Sequence, residues 1–316
     1  MKEKKKIYGL LGKGINYSLS PAMHNAAFKH FNISAEYRLF DISPDNLEQF
    51  LKDEVLSHKL SGINVTVPYK IKVKELLISC CKDAEKVIQV DSFADDIGSI
   101  NTVEIHNDTV SLYNTDGVGF YESIKEDLDF DPENKKIFIL GAGGAGRVIS
   151  TFLAAGSDER PANIFVYDID EEKRSSLKEI CRNKEGMMLI EIVENMEKLS
   201  EADLIVNATP FGTKQGDKMP LDPKIFKQGA CVYDLIYARK TELVKEARKK
   251  GLKAVNGEGM LACQGAYAFH LWTERKYGLD EIEEIMKQAL SDELKKGIWK
   301  RFKEFCKRFW SRFKEV

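Results

Sequence analysis

The sequence predicts an α/β protein of two domains with parallel-type open sheets, followed by a C-terminal amphipathic helix. Three observations carry this expectation. Short β-branched or aliphatic runs alternate with helix-periodic segments along nearly the whole chain, the pattern of strands joined by helical crossovers. A glycine loop, Gly141-Ala142-Gly143-Gly144-Ala145-Gly146, stands between an apolar strand and a helix, so the second domain is expected to be Rossmann-like. The length of 316 residues is about twice the ~150 of an ordinary domain. The division expected is 1–115 with 257–290 as one domain, 116–256 as the other, and 291–316 as a basic helical tail.

In the first series, 7–11 reads as a strand and 22–31 as a helix opened by Ser20-Pro21, a hydroxyl with proline just inside. Strand 36–40 precedes helix 43–56, with Ser43 as N-cap and Pro44 in the first turn. Strand 62–67 leads into helix 69–79. Segments 100–106 and 109–113 read as a hairpin around Asn107-Asp108. The second series has helix 118–128, apolar strand 136–140, helix 144–155, strand 162–167 and helix 171–182. Strands 189–193, 204–206 and 231–234 follow, then helix 241–250 and strand 252–255. Helices 257–272 and 279–290 are expected to return and pack on the first domain.

Composition excludes several classes. With 43% hydrophobic and 31% charged residues, 22 Gly and 8 Pro, the chain is neither disordered, collagen-like nor a disulfide scaffold. Forty-eight basic against 50 acidic residues give a net charge of −2 and no electrostatic case for nucleic acid. The six cysteines are scattered with no CxxC pair, which points to a reduced, cytoplasmic protein without a metal site. The lysine-rich start precedes an apolar run that Gly12-Lys13-Gly14 breaks after five residues, too short for a secretory signal. Nothing approaches the ~18 apolar residues of a membrane span.

The glycine loop has the flanks that a dinucleotide site needs. The first glycine permits the tight turn, the second lets backbone amides approach a pyrophosphate, and the third lets the helix pack closely on the strand. Arg147 closes the loop, and Asp168 ends the next strand 22 residues after Gly146. A carboxylate there accepts hydrogen bonds from ribose hydroxyls and repels a 2′-phosphate by ~1–4 kcal/mol per charge pair at close range. Asp170 adds to the repulsion. NAD is therefore expected over NADP, with Lys173 and Arg174 as the counter-evidence, since either could reach toward a phosphate or simply form a solvated helix face.

Three polar clusters fall at strand ends, where open parallel sheets bind ligands. Ser18 and Ser20 precede a helix N-terminus, an arrangement that favours an anion or serves as a helix cap. In Asn64-Val65-Thr66-Val67-Pro68-Tyr69-Lys70, alternation puts Asn64 and Thr66 on one face and the proline turn projects Lys70 from a helix start. A cation there opposes the helix dipole, an arrangement that proton transfer explains and stability does not. Asn101-Thr102 and Asn114-Thr115-Asp116-Gly117 form the third cluster. Asp116 either caps the following helix or pairs with Lys70, and a Lys–Asp pair suits removal of a hydroxyl proton.

The order and spacing of these motifs resemble the shikimate dehydrogenase family. They are Gly14-x3-Ser18-x-Ser20-Pro21-x2-His24-Asn25, Asn64-Val-Thr-x-Pro-Tyr-Lys70, Gly98-Ser-Ile-Asn101-Thr, Asn114-Thr-Asp116-Gly117, the glycine loop with Arg147, Asn207-Ala-Thr-Pro210, Tyr233-Asp-Leu-Ile-Tyr237 and Gly257-Glu-Gly-Met-Leu-Ala-Cys-Gln264. The resemblance spans roughly residues 7–290. It implies hydride transfer between a nicotinamide and the 3-position of a hydroxylated cyclohexene or cyclohexane carboxylate, with Lys70 as general acid/base and Asp116 orienting it. Ser18 and Ser20 would hold the carboxylate, and Asn64, Thr66, Asn101, Tyr237 and Gln264 would surround the ring hydroxyls. Leu235 and Gly257 would line the nicotinamide end, with Thr209 near the cofactor.

Two departures matter. NADP-using members usually carry Asn-Arg-Thr where this chain has Asp168-Ile169-Asp170, which is similar to the NAD-preferring quinate/shikimate dehydrogenases. Tyr17 stands where many members have histidine. Ser20 in place of threonine leans toward shikimate, with quinate and other ring acids left open. The alternatives are an NADP-dependent biosynthetic enzyme and a catalytically silent dinucleotide-binding regulator, against which the Lys70–Asp116 pair argues.

The tail lies beyond the resemblance. Residues 291–316 hold nine Lys/Arg and four Asp/Glu, so they carry +5 while the preceding 290 residues carry −7. Ile298, Trp299, Phe302, Phe305, Phe309, Trp310 and Phe313 recur at helical spacing with cations between. The pattern suits docking on the acidic body or across a homo-oligomer interface. It equally has the form of a weak membrane-surface helix or of a partner-binding helix.

Overall fold

The computed structural model describes residues 5–156, 160–182, 186–213 and 216–313, the last seventeen of these as backbone. Twelve strands are present among them: β1 (Lys6–Gly12), β2 (Ala35–Asp41), β3 (Gly62–Val65), β4 (Val87–Val90), β5 (Thr102–His106), β6 (Thr109–Tyr113), β7 (Lys136–Leu140), β8 (Asn163–Tyr167), β9 (Ile190–Ile192), β10 (Leu204–Asn207), β11 (Cys231–Asp234) and β12 (Lys253–Asn256). The helices are α1 (Ser20–His30), α2 (Leu47–Phe50), α3 (Lys70–Asp83), α4 (Ser92–Asp96), α5 (Asp116–Leu128), α6 (Gly144–Ala155), α7 (Glu171–Cys181), α8 (Glu242–Lys249), α9 (Glu258–Trp272) and α10 (Leu279–Phe313).

They form two six-stranded sheets, ordered β2-β1-β3-β5-β6-β4 and β12-β11-β10-β7-β8-β9. The second sheet is parallel throughout. Its central strand β7 alternates faces as period-2 geometry requires, Ile137 and Ile139 packing into one core and Phe138 and Leu140 into the other. Covered on both sides, it reads in sequence as a continuous apolar run. In the first sheet, β1 likewise sends Tyr8 and Leu10 to one core and Leu11 to the other.

The α/β class and the two sheets are as the sequence indicates, but the first sheet is mixed. The β5–β6 hairpin enters it antiparallel, pairing with β3, and β4 then pairs parallel to β6. The short β4 and α4 had no recognisable pattern, because four strand residues with only one side half-covered give too few alternations to count. The expected helix 43–56 is a 3-10 turn (Pro44–Asn46), α2 and a π-helical stretch (Leu51–Leu56) in succession, and Ser43 makes no side-chain cap. Helix α10 continues past 290 to Phe313. The side chains of residues 297–316, which include all the tail's aromatics and most of its cations, lie outside the described residues. Among the described residues no helix is long and apolar enough to cross a membrane.

Helices α9 and α10 return to the first sheet. Ile282, Met286 and Leu290 share one core with Met23, Ala27 and Phe28 of α1 and with Tyr8 and Leu10. Trp272 lies against Gly62, where a Cβ would come within 2.4 Å of its Nε1, and donates to the Val103 carbonyl at 3.0 Å. Nearby, Lys287 pairs with Glu126 and with Glu283 (2.6 Å), and the Cys263 thiol donates to Glu283 at 2.8 Å. This cluster ties α5, α9 and α10 with an ammonium already among its carboxylates.

His24 is completely buried, stacked on Tyr37 with ring centroids 4.2 Å apart, and neither ring nitrogen has a partner. Burial lowers its pKa from 6.5 to about 3. The unfolded chain therefore takes up the proton first, so the stability present above pH 6.5 is lost as pH falls toward 3. Replacing His24 with leucine removes that penalty. The unfolding free energy of the wild-type protein should fall more steeply between pH 6.5 and 4 than that of His24→Leu, by up to ~1.4 kcal/mol per pH unit, as read from denaturant melts at each pH. Asp127, whose pKa burial raises to about 6, titrates in the opposite sense in both proteins and cancels in the difference. Parallel curves would show that His24 does not stay neutral.

Candidate active site

One cavity of about 190 Å³ opens between the two sheets. It is smaller than the roughly 300–1,000 Å³ that takes a drug-sized ligand, so it suits a compact molecule. The fold brings to it residues from five separate stretches of chain. Ser18 and Ser20 come from the start of α1, Asn64 and Thr66 from the end of β3, Lys70 from the start of α3, and Asn101 and Asp116 from either side of the hairpin. Tyr237 follows β11, and Gln264 lies on α9.

At its centre the Lys70 ammonium pairs with Asp116 Oδ2, and the two side chains are only 17% and 9% exposed. Asn101 Nδ2 donates to the other carboxylate oxygen at 2.9 Å. The Asp116 carboxylate is thus held from both sides, and α5 begins without a side-chain cap. Of the two roles open to Asp116, pairing with Lys70 is the one observed. A buried pair of this kind costs several kcal/mol when one partner is removed.

The serine end is built differently. Ser18 donates to Ser20 Oγ at 3.2 Å and accepts from the Ser20 N–H at 3.3 Å, Tyr237 lines the same end, and α1 starts behind them. Burial pushes the Tyr237 phenol up to about 12, so it remains a hydroxyl donor. No carboxylate lines the cavity apart from Asp116, which leaves this end suited to an anion. Gln264 accepts from Asn101 Nδ2 at 3.4 Å and donates to the Leu261 carbonyl at 2.9 Å.

The glycine loop reaches the same cavity through Ala145, and Leu235 and Gly257 complete that wall. Gly257 is obligatory: a Cβ would lie 2.3 Å from the Leu235 carbonyl oxygen. In the loop itself Gly141 has φ +109°, and a Cβ on Gly146 would lie 1.8 Å from the Gly141 oxygen. Over Gly143 and Gly144, by contrast, nothing stands within 4 Å, and α6 begins at Gly143 without a side-chain cap. Open space above uncapped amides is what a pyrophosphate needs. Thr209 sits beside Gly141 at the end of β10, its hydroxyl donating to Asn207 Oδ1 at 2.6 Å.

Some expected contacts are occupied by the protein itself. Asp168, 8% exposed, accepts from the Ala142 N–H and the Asp170 N–H, both at 2.9 Å, so it braces the loop. Asp170 caps α7 by accepting from the Glu172 and Lys173 N–H groups. Lys173 pairs with Asp170 at 3.2 Å and Arg174 with Glu194 at 3.2 Å. Arg147 turns away from the cavity to donate to Ser176 at 2.8 Å, in a separate hollow between α3, α4, α6 and α7. Sequence reasoning missed Leu10, Ile15, Val65, Met260 and Leu261 as lining residues, because apolar walls look like any core position in sequence.

Comparison with known proteins agrees with this geometry. The family model described as the shikimate dehydrogenase substrate binding domain matches residues 10–103. The shikimate dehydrogenase (NADP(+)) of Methanopyrus kandleri is 37% identical over 293 residues, 92% of this chain and 96% of that protein. The crystal structure of shikimate dehydrogenase from Aquifex aeolicus superposes with a TM-score of 0.78 at 30% identity, covering 92% of this chain and 99% of its own. Quinate dehydrogenase from Corynebacterium glutamicum in complex with NAD gives a TM-score of 0.75 at 27% identity, covering 89% and 98%. The chain belongs to the shikimate dehydrogenase family and is an NAD(P)-dependent oxidoreductase.

Proposed function

We propose that this chain interconverts shikimate and 3-dehydroshikimate, with quinate as the competing substrate and NAD as the preferred cofactor. The observation that carries the reading is the single cavity joining the Lys70–Asp116 pair, the anion-suited serines and the glycine-loop wall. When bound, the nicotinamide accepts or returns a hydride at the ring carbon that bears the reacting oxygen. Lys70, once its ammonium has released a proton to solvent, takes the hydroxyl proton as that carbon is oxidised, and as the ammonium it returns a proton in the reverse direction, while Asp116 holds the side chain in place and Asn101 holds Asp116. Ser18, Ser20 and Tyr237 bind the carboxylate end, and Asn64, Thr66, Asn101 and Gln264 face the ring hydroxyls. The cofactor would rest on Gly141–Gly146 and Asp168, with Thr209, Leu235 and Gly257 beside it. In this reading 1–115 with 257–290 is the substrate domain and 116–256 the dinucleotide domain.

Support for NAD is electrostatic. Asp168 and Asp170 are acidic, Ile169 is 74% exposed where a clamping cation would stand, and Lys173 and Arg174 are already paired. NADP is the second reading, favoured by the names of relatives such as the Methanopyrus enzyme. The Lys173–Asp170 pair is solvent-exposed and therefore weak, which leaves Lys173 recruitable by a phosphate. Initial rates with shikimate and quinate, each with NAD and NADP, separate these readings. Faster turnover with NAD is expected, NADP preference would return the chain to the biosynthetic type, and no turnover in any combination would sink the enzyme reading. Replacing Asp168-Ile169 by Asn-Arg should raise the NADP:NAD ratio of kcat/KM by at least ~10-fold, the value of one close charge pair of ~1.4 kcal/mol. An unchanged ratio would mean that this turn does not meet the ribose.

A further inference from the structure

Asn64 and the Lys70–Asp116 pair are joined by more than a shared cavity. Tyr37, on β2, lies beneath the cavity and is 2% exposed. Its hydroxyl donates to Asn64 Oδ1 at 2.8 Å. The stacked neutral ring of His24 holds the phenol in place. Burial keeps Tyr37 protonated, raising its pKa well above 10.

Asn64 can meet this phenol in only one orientation. Its Nδ2 donates to the Asn101 carbonyl at 3.2 Å and to Thr102 Oγ1 at 3.0 Å. A backbone carbonyl only accepts, so the amide nitrogen must face it and the amide oxygen must face Tyr37. Thr102 in turn donates to Asn101 Oδ1 at 2.9 Å, and Asn101 donates to Asp116. Hydrogen bonds of one polarity therefore run from Tyr37 through Asn64, Thr102 and Asn101 to the carboxylate that holds Lys70. Both amide hydrogens of Asn64 are spent inside the protein, which leaves the cavity an acceptor and no donor at this residue.

We propose that Tyr37 is a positioning residue that sets the ring-hydroxyl site from behind. It fixes the Asn64 carbonyl oxygen as an acceptor for a ligand hydroxyl. Ring-hydroxyl recognition and the placement of the Lys70–Asp116 pair are in this way parts of one network. The proposal rests on the shikimate reading above.

The test uses the full chain and Tyr37→Phe, which deletes one oxygen and keeps the ring. Loss of one hydrogen bond of about 1 kcal/mol predicts a KM for shikimate about 5- to 10-fold higher, with kcat within about threefold and the KM for the dinucleotide unchanged. In an Asn64→Ala background the same substitution should raise KM less than about twofold, because the phenol acts through Asn64. A structural role alone would lower kcat and dinucleotide affinity too, and its effect would persist in that background. An unchanged shikimate KM in an active Tyr37→Phe enzyme overturns the proposal and leaves the shikimate reading intact. Thermal shift on adding shikimate gives the same comparison without turnover. A wild-type chain that neither turns over nor is stabilised by shikimate overturns both.

Discussion

Lys70→Ala should lower turnover at least ~100-fold, the lower end of what a positioned general acid/base contributes, while dinucleotide binding persists. The side chain lies at the start of α3 and touches the cavity but no part of the glycine loop, so binding and chemistry should separate cleanly. Removal of the ammonium also leaves Asp116, 6% exposed, with only Asn101 as a polar partner among the side chains bonding its carboxylate. Some loss of stability will therefore accompany the loss of activity, on the scale of a broken buried pair. Lys70→Ala should be compared with Asp116→Asn, which keeps an acceptor for Lys70 and should retain more of the stability. A Lys70→Ala enzyme with near wild-type kcat would remove Lys70 from the proton-transfer role.

Gly146→Ala should abolish dinucleotide binding and lower stability by about 3 kcal/mol, or roughly 6–12 °C in melting temperature for a domain of this size. The added carbon would stand 1.8 Å from the Gly141 carbonyl oxygen, a backbone atom that cannot swing aside. Helix α6 and the turn after β7 would have to part, and the N–H groups that face the cleft would part with them. Gly143→Ala is the control. Nothing lies within 4 Å of its new methyl, so the fold should keep its stability while the methyl stands where a pyrophosphate approaches. Equal stability with weakened NAD binding in Gly143→Ala, against unfolding in Gly146→Ala, would separate the two uses of glycine in one loop. Full NAD affinity in both would place the dinucleotide elsewhere.

Much of the arrangement was legible because it rests on local physics. β7 and α6 were bounded to the residue, since the apolar run Ile137–Leu140 and a helix opening from a glycine turn leave little ambiguity. β4 was not, because its pairing with β6 depends on a neighbour distant in sequence and its own four residues alternate too briefly. The 3-10, α and π succession over 44–56 was equally hidden, since apolar spacing alone does not distinguish helical pitches.

The same division holds at the site. Sequence alone determined which residue types lie at strand ends and helix starts: the serines before α1, Lys70 after a proline, Asp116 after the hairpin and the glycines after β7. These positions follow from caps, turns and alternation, which act within a few residues. Only the tertiary structure decided what each group touches. It turned Asp116 to Lys70, committed Asp168 to the Ala142 N–H, sent Arg147 to Ser176, and placed Tyr37 against Asn64. A hydrogen bond is made by whichever partner the packed sheets bring within about 3 Å, and that choice is set by contacts tens to hundreds of residues apart.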